Sequence, residues 1–283
     1  MINGENVYTL LKSAEIFLKS KGFVEAKVDS EVLLSFVLQV KRSQLWIISG
    51  QRPTDEQISQ YRKYLLRRVQ REPVAYIVGF SGFMGFEFKI SKKVLIPRPE
   101  TELLVEVVSK LAKEENKNSV LDLGTGSGCI AISLAKLGAF KSIAALDISI
   151  GALGIAKENA TRNNVSCIDF IESDVFHNIS SNSKFDIIVS NPPYVSQQEY
   201  RFLEPELKYE PKIALVAQDD GLFFYKEICR NASVYLNNGG FVVVELNANK
   251  ADAIKRMFLD TGYKNIEIMN DYSELPRILR ANI

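Results

Sequence analysis

Glycine occupies every second position in Gly124-Thr125-Gly126-Ser127-Gly128, directly after the apolar run Val120–Leu123 and directly before a helical pattern that begins near Cys129. A strand that turns on alternate glycines into a helix lets a ligand approach the backbone at distances that any Cβ would forbid. Further short apolar runs follow at Ile143–Leu146, Ile168–Ile171, Phe185–Val189 and Phe241–Leu246, separated by helical stretches. This alternation predicts an α/β fold with a mainly parallel sheet flanked by helices.

The spacing of the glycines narrows the ligand. A dinucleotide site carries its third glycine one residue later, where Cys129 stands, and seats a pyrophosphate on the helix N-terminus. Gly-x-Gly-x-Gly favours a ligand without phosphates. Asp147 closes the second strand, placed for both hydroxyls of a ribose, and Asp174 lies just beyond the third, placed for an adenine amino group. Singly, Asp122 and Asp174 read equally well as loop or cap residues and the glycines as a tight turn. Their order on successive strands describes a nucleoside-shaped site at the carboxyl edge of the sheet, as in S-adenosylmethionine enzymes.

The next strand, Phe185–Ser190, runs into Asn191-Pro192-Pro193-Tyr194. Two successive prolines remove two backbone donors and force extended backbone on Asn191 and Pro192. The loop is therefore stiff, its carbonyls are free of the sheet ladder, and the Asn191 amide sits at its mouth. Such a loop suits methyl transfer to a planar NH2 nitrogen, a poor nucleophile because its lone pair is spread into a carbonyl or a ring. Two acceptors, the Asn191 side-chain oxygen and the Pro192 carbonyl, hold the two hydrogens and aim the lone pair at a sulfonium methyl. No metal or strong base is required, since positioning and electrostatics carry the catalysis. Tyr194 reads as a stacking platform for the planar group or, equally, as a core aromatic after a turn.

A helical front precedes this half. Leu10, Leu11, Ala14, Phe17 and Leu18 keep the spacing of an amphipathic helix. A second helix is expected to start at Asp29 as its cap and to bury Val32, Leu33, Phe36, Val37 and Val40. A third opens on the capping box Thr54-Asp55-Glu56-Gln57 and turns Ile58, Tyr61, Leu65 and Val69 inward while Arg62, Lys63, Arg67, Arg68 and Arg71 face out. That basic stripe is a solvated face or, alternatively, a contact for RNA or an acidic partner surface. Within Gly79–Ile90, Phe86, Phe88 and Ile90 alternate with Glu87 and Lys89, which predicts a β-hairpin. Pro97 and Pro99 stop the strand, and Pro99 enters the first turn of a helix through Leu103, Leu104, Val107 and Leu111. The expected domains are a helical bundle at 1–78, a hairpin linker at 79–97 and the α/β domain at 98–283.

Composition sets limits around these motifs. With 46% hydrophobic and 24% charged residues among 283, the chain has globular values, and its formal charge of +1 argues against a general nucleic-acid coat. The charge is uneven, with 15 basic and 9 acidic side chains through residue 97 and 20 against 25 beyond. Cys129, Cys167 and Cys229 are widely spaced and odd in number, so neither a disulfide framework nor a Cys-x-x-Cys metal site is expected, and a reduced, cytoplasmic setting is. Met1–Ser20 lacks the marks of a secretory signal, and no run reaches the ~18 apolar residues of a membrane span. A Ser-His-Asp triad or a histidine-rich metal centre would have to rest on His177 alone. Set among Asn178, Ser180 and Ser181, it reads as a solvated loop residue.

The chain resembles the HemK-type N(5)-glutamine methyltransferases, which modify the Gln of the Gly-Gly-Gln loop in class I peptide chain release factors. The resemblance covers nearly the whole chain: the helical front, the hairpin, Val94-Leu-Ile-Pro-Arg-Pro-Glu-Thr-Glu102, Asp122–Gly128, Asp147-Ile-Ser149 with Ala152-Leu153, Asn191–Tyr194, and Tyr209-Glu-Pro211 followed by Ala214-Leu215. Asn-Pro-Pro-Tyr is shared with enzymes that methylate the adenine amino group of nucleic acids. Ile96–Glu102 is the discriminating match. The resemblance implies a Rossmann-like S-adenosylmethionine-dependent methyltransferase fold. It further implies that Gly124, Thr125, Gly126, Ser127, Gly128, Asp147, Asp174, Val175 and Asn191 bind S-adenosyl-L-methionine, and that Asn191, Pro192, Pro193 and Tyr194 receive the glutamine. Arg98–Glu102 resembles the family's loop beside the cofactor, although Pro99, Thr101 and Glu102 are singly explained by a proline-bounded helix start. The front domain and hairpin would grip the release factor. A monomer with no direct nucleic-acid or membrane partner is expected.

The chain departs from the family pattern where Asn247 and Lys250 replace Gly and Gln after Glu245, and where Asp271–Arg277 lacks the usual glycine before the arginine. Two other readings compete. A nucleic-acid adenine methyltransferase could use the same tetrapeptide, although the catalytic half is acidic and no separate base-reading domain is evident. A module that binds S-adenosylmethionine without turnover sits poorly with an intact Asn191–Tyr194.

Overall fold

Asn6 opens the first helix, α1 (Val7–Ser20), by accepting from Thr9 N at 2.9 Å while its own N–H donates to Thr9 Oγ1 at 3.1 Å. This is the computed structural model of the chain, and it describes residues 6–138 and 140–283. Two units separate: one comprises the chain through Gly79 with Pro205–Tyr209, the other Phe80–Glu204 with Glu210–Ile283.

In the first unit α1 is followed by α2 (Ala26–Leu38), α3 (Asp55–Val69) and α4 (Val74–Val78). The Thr54 capping box forms as its sequence predicts, with Gln57 N donating to Thr54 Oγ1 at 3.2 Å and Thr54 N to Gln57 Oε1 at 2.9 Å. Leu10, Leu18, Leu33, Leu34, Tyr61 and Leu65 are fully buried at its core.

Three expectations for this unit change. Helix α2 begins at Ala26, so Asp29 lies inside its first turn. Its carboxylate caps nothing because Arg68 Nε claims it at 2.7 Å. The apolar stripe of α2 is rotated accordingly: Leu34 is buried, whereas Phe36 is 39% exposed beside Tyr64. The basic face of α3 is largely spent within the unit. Arg68 bridges Asp29 and Glu206, Arg71 reaches Glu206 at 3.2 Å, and Arg67 forks onto Glu72 at 2.8 Å. The guanidinium carbons of Arg68 and Arg71 lie 4.1 and 4.3 Å from the Phe23 ring centre. Sequence periodicity places a cation on the outer face of its own helix but cannot see a carboxylate arriving from another segment.

The second unit opens on the antiparallel hairpin β1 (Phe80–Phe83) and β2 (Phe86–Lys89). Its turn residues Met84 and Gly85 have φ of 51° and 76°, the positive pair that a two-residue hairpin turn uses to follow strand twist. Helix α5 (Pro99–Glu114) carries proline in its first position. There follow β3 (Ser119–Leu123), α6 (Cys129–Lys136), β4 (Ser142–Asp147), α7 (Ile150–Arg162), β5 (Ile168–Glu172), β6 (Phe185–Ser190), α8 (Phe223–Tyr235), β7 (Leu236–Glu245), α9 (Ala251–Asp260), β8 (Lys264–Asn270) and β9 (Pro276–Asn282).

The sheet order is β5-β4-β3-β6-β7-β9-β8, parallel from β5 through β7 and antiparallel at β9 and β8. Val120, Leu121, Ile187, Ile188 and Val189 are fully buried, as a central parallel strand covered on both faces requires. The chain winds outward from β3 to β5 in one direction and from β6 to β7 in the other. This reversal opens a crevice at the carboxyl ends of β3 and β6. The hairpin is stitched to this frame by Asn159 of α7, which is fully buried. Asn159 accepts from Lys89 N at 2.6 Å and donates to the Lys89 and Ser127 carbonyls at 3.1 and 2.9 Å.

Candidate active site

Strand ends are tied together at the crevice. Ser190 Oγ, at the end of β6, donates to the Leu123 carbonyl at 2.8 Å, and Thr125 N donates to the Leu146 carbonyl at 2.7 Å. Gly126 N and Ser149 N each donate to one Asp147 carboxylate oxygen at 2.9 Å. Gly124, Gly126, Asp147, Asp174 and Val175 line the resulting cavity, as do Asn191, Pro192 and Pro193. The sequence-predicted residues are thus largely brought to one place, although Thr125, Ser127, Gly128 and Tyr194 do not line it.

The glycines divide by what a side chain would meet. A Cβ on Gly124 would meet nothing within 4 Å, and one on Gly126 only the Gly124 carbonyl at 4.0 Å. Those positions face open space. Gly128 differs: a Cβ there would lie 2.9 Å from Ile132 Cδ1, 3.1 Å from Ala156 Cβ and 3.3 Å from Ala156 Cα. The third glycine therefore packs the start of α6 against α7. Thr125 is buried and its hydroxyl donates to Asp122 Oδ2 at 2.7 Å.

Burial raises the Asp147 carboxyl above the ordinary range, against the two backbone N–H bonds from Ser149 and Gly126. Asp174 is exposed, with His177 Nδ1 3.8 Å from its Oδ2. The next residue, Val175, has φ of 47°, a left-handed conformation that strains a β-branched residue. It is held there by Ser173, whose Oγ donates to the Val175 carbonyl and accepts from Asn178 N, both at 3.0 Å.

Asp122 is fully buried, and burial lifts its carboxyl pKa to about 7, against the Thr125 hydrogen bond. The folded chain therefore keeps a proton that the unfolded chain releases near the ordinary value of 3.8. Its contribution to stability falls as pH rises through that window. Relative to Asp122→Asn, the wild-type chain is expected to lose up to about 4 kcal/mol between about pH 4 and pH 7 in urea unfolding. A stability difference independent of pH contradicts the buried proton.

At the tetrapeptide, Asn191 Nδ2 donates to Thr101 Oγ1 at 3.0 Å, and Thr101 Oγ1 donates to Glu245 Oε2 at 2.7 Å. The Tyr194 hydroxyl points to Glu245 Oε1 at 3.4 Å, and its ring packs against the hydrophobic core. Of the two readings of Tyr194, this is the geometry of the core aromatic. Glu245 is buried, which raises its pKa against the Thr101 hydrogen bond and the charge of Arg277.

Glu210, Lys250 and Asn247, to which the sequence assigns no individual role, brace neighbouring segments. Glu210 accepts from Ile96 N at 3.0 Å and pairs with Arg98, joining two of the motifs quoted above. Lys250 donates to the Asp220 carbonyl and stands 3.5 Å from Glu199 and 3.4 Å from the Asp220 carboxylate. The turn it holds, Asp219–Gly221, is left-handed throughout, and a Cβ on Gly221 would come within 2.3 Å of the Tyr194 carbonyl. A departure from the family pattern is therefore a local brace. Asn247 caps the next turn, its Oδ1 accepting from Asn249 N at 3.1 Å.

Comparison with known proteins places this geometry. Residues 99–206 match the Methyltransferase small domain and residues 9–79 the PrmC N-terminal domain. The fold aligns with the hMettl16 catalytic domain at a TM-score of 0.56 and 18% identity, covering 81% of this chain and 82% of that one. It aligns with a methyltransferase from Pyrococcus furiosus at 0.53 and 18%, covering 79% and 98%. Fold and site together define a methyltransferase with a Rossmann-like sheet. A release factor glutamine methyltransferase from Fusobacterium nucleatum is 38% identical over 279 residues, 98% of this chain and 78% of that protein. Another from Aliivibrio fischeri is 36% identical over 273 residues, 96% of each. The chain belongs to the release factor glutamine methyltransferase family.

Proposed function

We propose that this enzyme transfers a methyl group from S-adenosyl-L-methionine to the side-chain amide nitrogen of the glutamine in the Gly-Gly-Gln loop of class I peptide chain release factors. One observation carries the reading. The Asn191 carboxamide stands at the cavity with its nitrogen engaged by Thr101 at 3.0 Å, which leaves its oxygen for a substrate N–H.

The cavity suits a nucleoside-based methyl donor. Open space above Gly124 and Gly126 admits a ligand against the backbone. The Asp147 carboxylate, after accepting two backbone N–H bonds, keeps lone pairs for ribose hydroxyls. Asp174, Val175 and Asn191 complete the cofactor set, with Thr125, Ser127 and Gly128 shaping the turn from behind. When bound, the donor supplies a methyl group already activated by a positive sulfur. Asn191 Oδ1 and the Pro192 carbonyl accept the two hydrogens of the glutamine NH2 and keep its lone pair aimed. With the methyl group transferred and the C–S electron pair retained by sulfur, the nitrogen would release one proton to solvent, with Asn191 Oδ1 or the Pro192 carbonyl orienting that N–H.

The functional division runs 1–78 for release-factor recognition, 79–97 for the linker and 98–283 for catalysis, and the unit boundary after Gly79 supports the first of these bounds. The internal pairing of Arg67, Arg68 and Arg71 favours a protein partner over nucleic acid. A cytoplasmic monomer is the accompanying reading. Among the described residues no helix is long and apolar enough to cross a membrane.

Incubation of the purified enzyme with methyl-labelled S-adenosylmethionine and a purified class I release factor is expected to label the Gly-Gly-Gln glutamine. Label on RNA or DNA with none on the release factor overturns the assignment.

A further inference from the structure

A carboxamide can sit two ways, and only one leaves an acceptor toward the cavity: the oxygen accepts, whereas the nitrogen only donates. The surroundings of Asn191 select between them by counting hydrogens. Thr101 Oγ1 lies 3.0 Å from Asn191 Nδ2 and 2.7 Å from Glu245 Oε2. A hydroxyl has one hydrogen, and here it goes to Glu245 Oε2, where the charge of Arg277 favours the carboxylate form that burial opposes. Thr101 is then left with lone pairs alone on the Asn191 side, so the Asn191 end it meets must be the NH2.

The pair is built into the frame. Thr101 stands in the first turn of α5 and Glu245 is the last residue of β7. They are 3% and 1% exposed, and 144 positions apart in sequence. The second oxygen of Glu245 faces the Tyr194 hydroxyl at 3.4 Å, so one carboxylate reaches both ends of Asn191–Tyr194. Burying a carboxylate is costly, and a methyl-bearing residue would fill the same space more cheaply. Apolar packing alone could not tell an amide oxygen from an amide nitrogen.

We propose that Glu245 and Thr101 form a polarity relay, a pair of positioning residues that locks the Asn191 carboxamide with its oxygen toward the cavity. The relay rests on the function proposed above for the use of that oxygen, while the orientation itself can be measured independently. Glu245 accepts the hydroxyl hydrogen, Thr101 accepts an Asn191 hydrogen bond, and neither lines the cavity.

Thr101→Val keeps the shape of the side chain and removes the acceptor; Thr101→Ser restores it. Thr101→Val is expected to lower kcat for release-factor methylation about 10- to 100-fold. Its Kd for S-adenosylhomocysteine should remain within about twofold, and Thr101→Ser should recover most of the rate. Selective 15N-asparagine labelling supplies a readout without turnover. The Asn191 NH2 hydrogens should exchange slowly with water in the wild-type and Thr101→Ser proteins and rapidly in Thr101→Val. Rapid exchange in the folded wild-type protein overturns the relay, as does wild-type kcat in Thr101→Val. If the wild-type enzyme left release factors unmethylated, the substrate assignment would fall, and the exchange measurement would still decide the orientation.

Discussion

Replacing Asn191 by alanine is expected to cut kcat for release-factor methylation by about a hundredfold or more, on the scale of losing one aligned group that stabilises a transition state. The fold should survive. The β6 ladder to β3 and β7 does not involve the Asn191 side chain, and Ser190 still ties the strand end to Leu123. Among the described residues the side chain gives up its hydrogen bond to Thr101, which keeps its bond to Glu245, so the cost to stability is expected at about 1 kcal/mol. Binding of S-adenosylhomocysteine should change by no more than a few-fold, because Gly124, Gly126 and Asp147 are untouched. The diagnostic result is a collapsed kcat with near-normal binding and urea midpoint. A variant that retains more than a tenth of wild-type kcat removes Asn191 from the chemistry.

The second large effect separates two glycines that look equivalent in sequence. Gly128→Ala places a Cβ 3.1 Å from Ala156 Cβ and 3.3 Å from the Ala156 backbone, at a φ of +80°. The Ile132 methyl can rotate aside, but the α7 backbone cannot. With the left-handed penalty of about 1–2 kcal/mol added to overpacking of about 1–3 kcal/mol, a loss of about 3 kcal/mol in urea unfolding is expected. Gly126→Ala places a Cβ that meets nothing closer than the Gly124 carbonyl at 4.0 Å. It should cost about 1–2 kcal/mol of stability yet weaken S-adenosylhomocysteine binding at least about tenfold, since a methyl group then occupies the ligand's place against the backbone. Titration calorimetry and urea curves on both variants should give opposite rankings. Equal loss of binding at unchanged stability in both contradicts the division of labour.

Much of the site is legible in local sequence. The alternate glycines, Asp147 and Asn191–Tyr194 carry their chemistry in local spacing, and the parallel core strands announce themselves as continuous apolar runs. Local spacing could not separate Gly128 from Gly126, because the difference lies in Ala156, which approaches from another helix. Asp29 looked like a cap because its partner, Arg68, is 39 residues away. The antiparallel pair β8 and β9 escaped notice for a related reason. Its strands are partly polar and only partly buried, and they are recognisable as strands through the register Val244↔Leu279 that β7 supplies. Thr101 was sufficiently explained as part of a helix start until β7 brought Glu245 to it. Lys250 read as a departure, and its use became visible with the left-handed turn it braces.

The most direct measurement is a crystal structure of the enzyme with S-adenosylhomocysteine and a peptide containing the Gly-Gly-Gln loop. The ribose hydroxyls are expected on Asp147 and the glutamine Nε2 within about 2.7–3.2 Å of Asn191 Oδ1. A glutamine seated away from Asn191, or an Asn191 nitrogen turned toward it, contradicts the account.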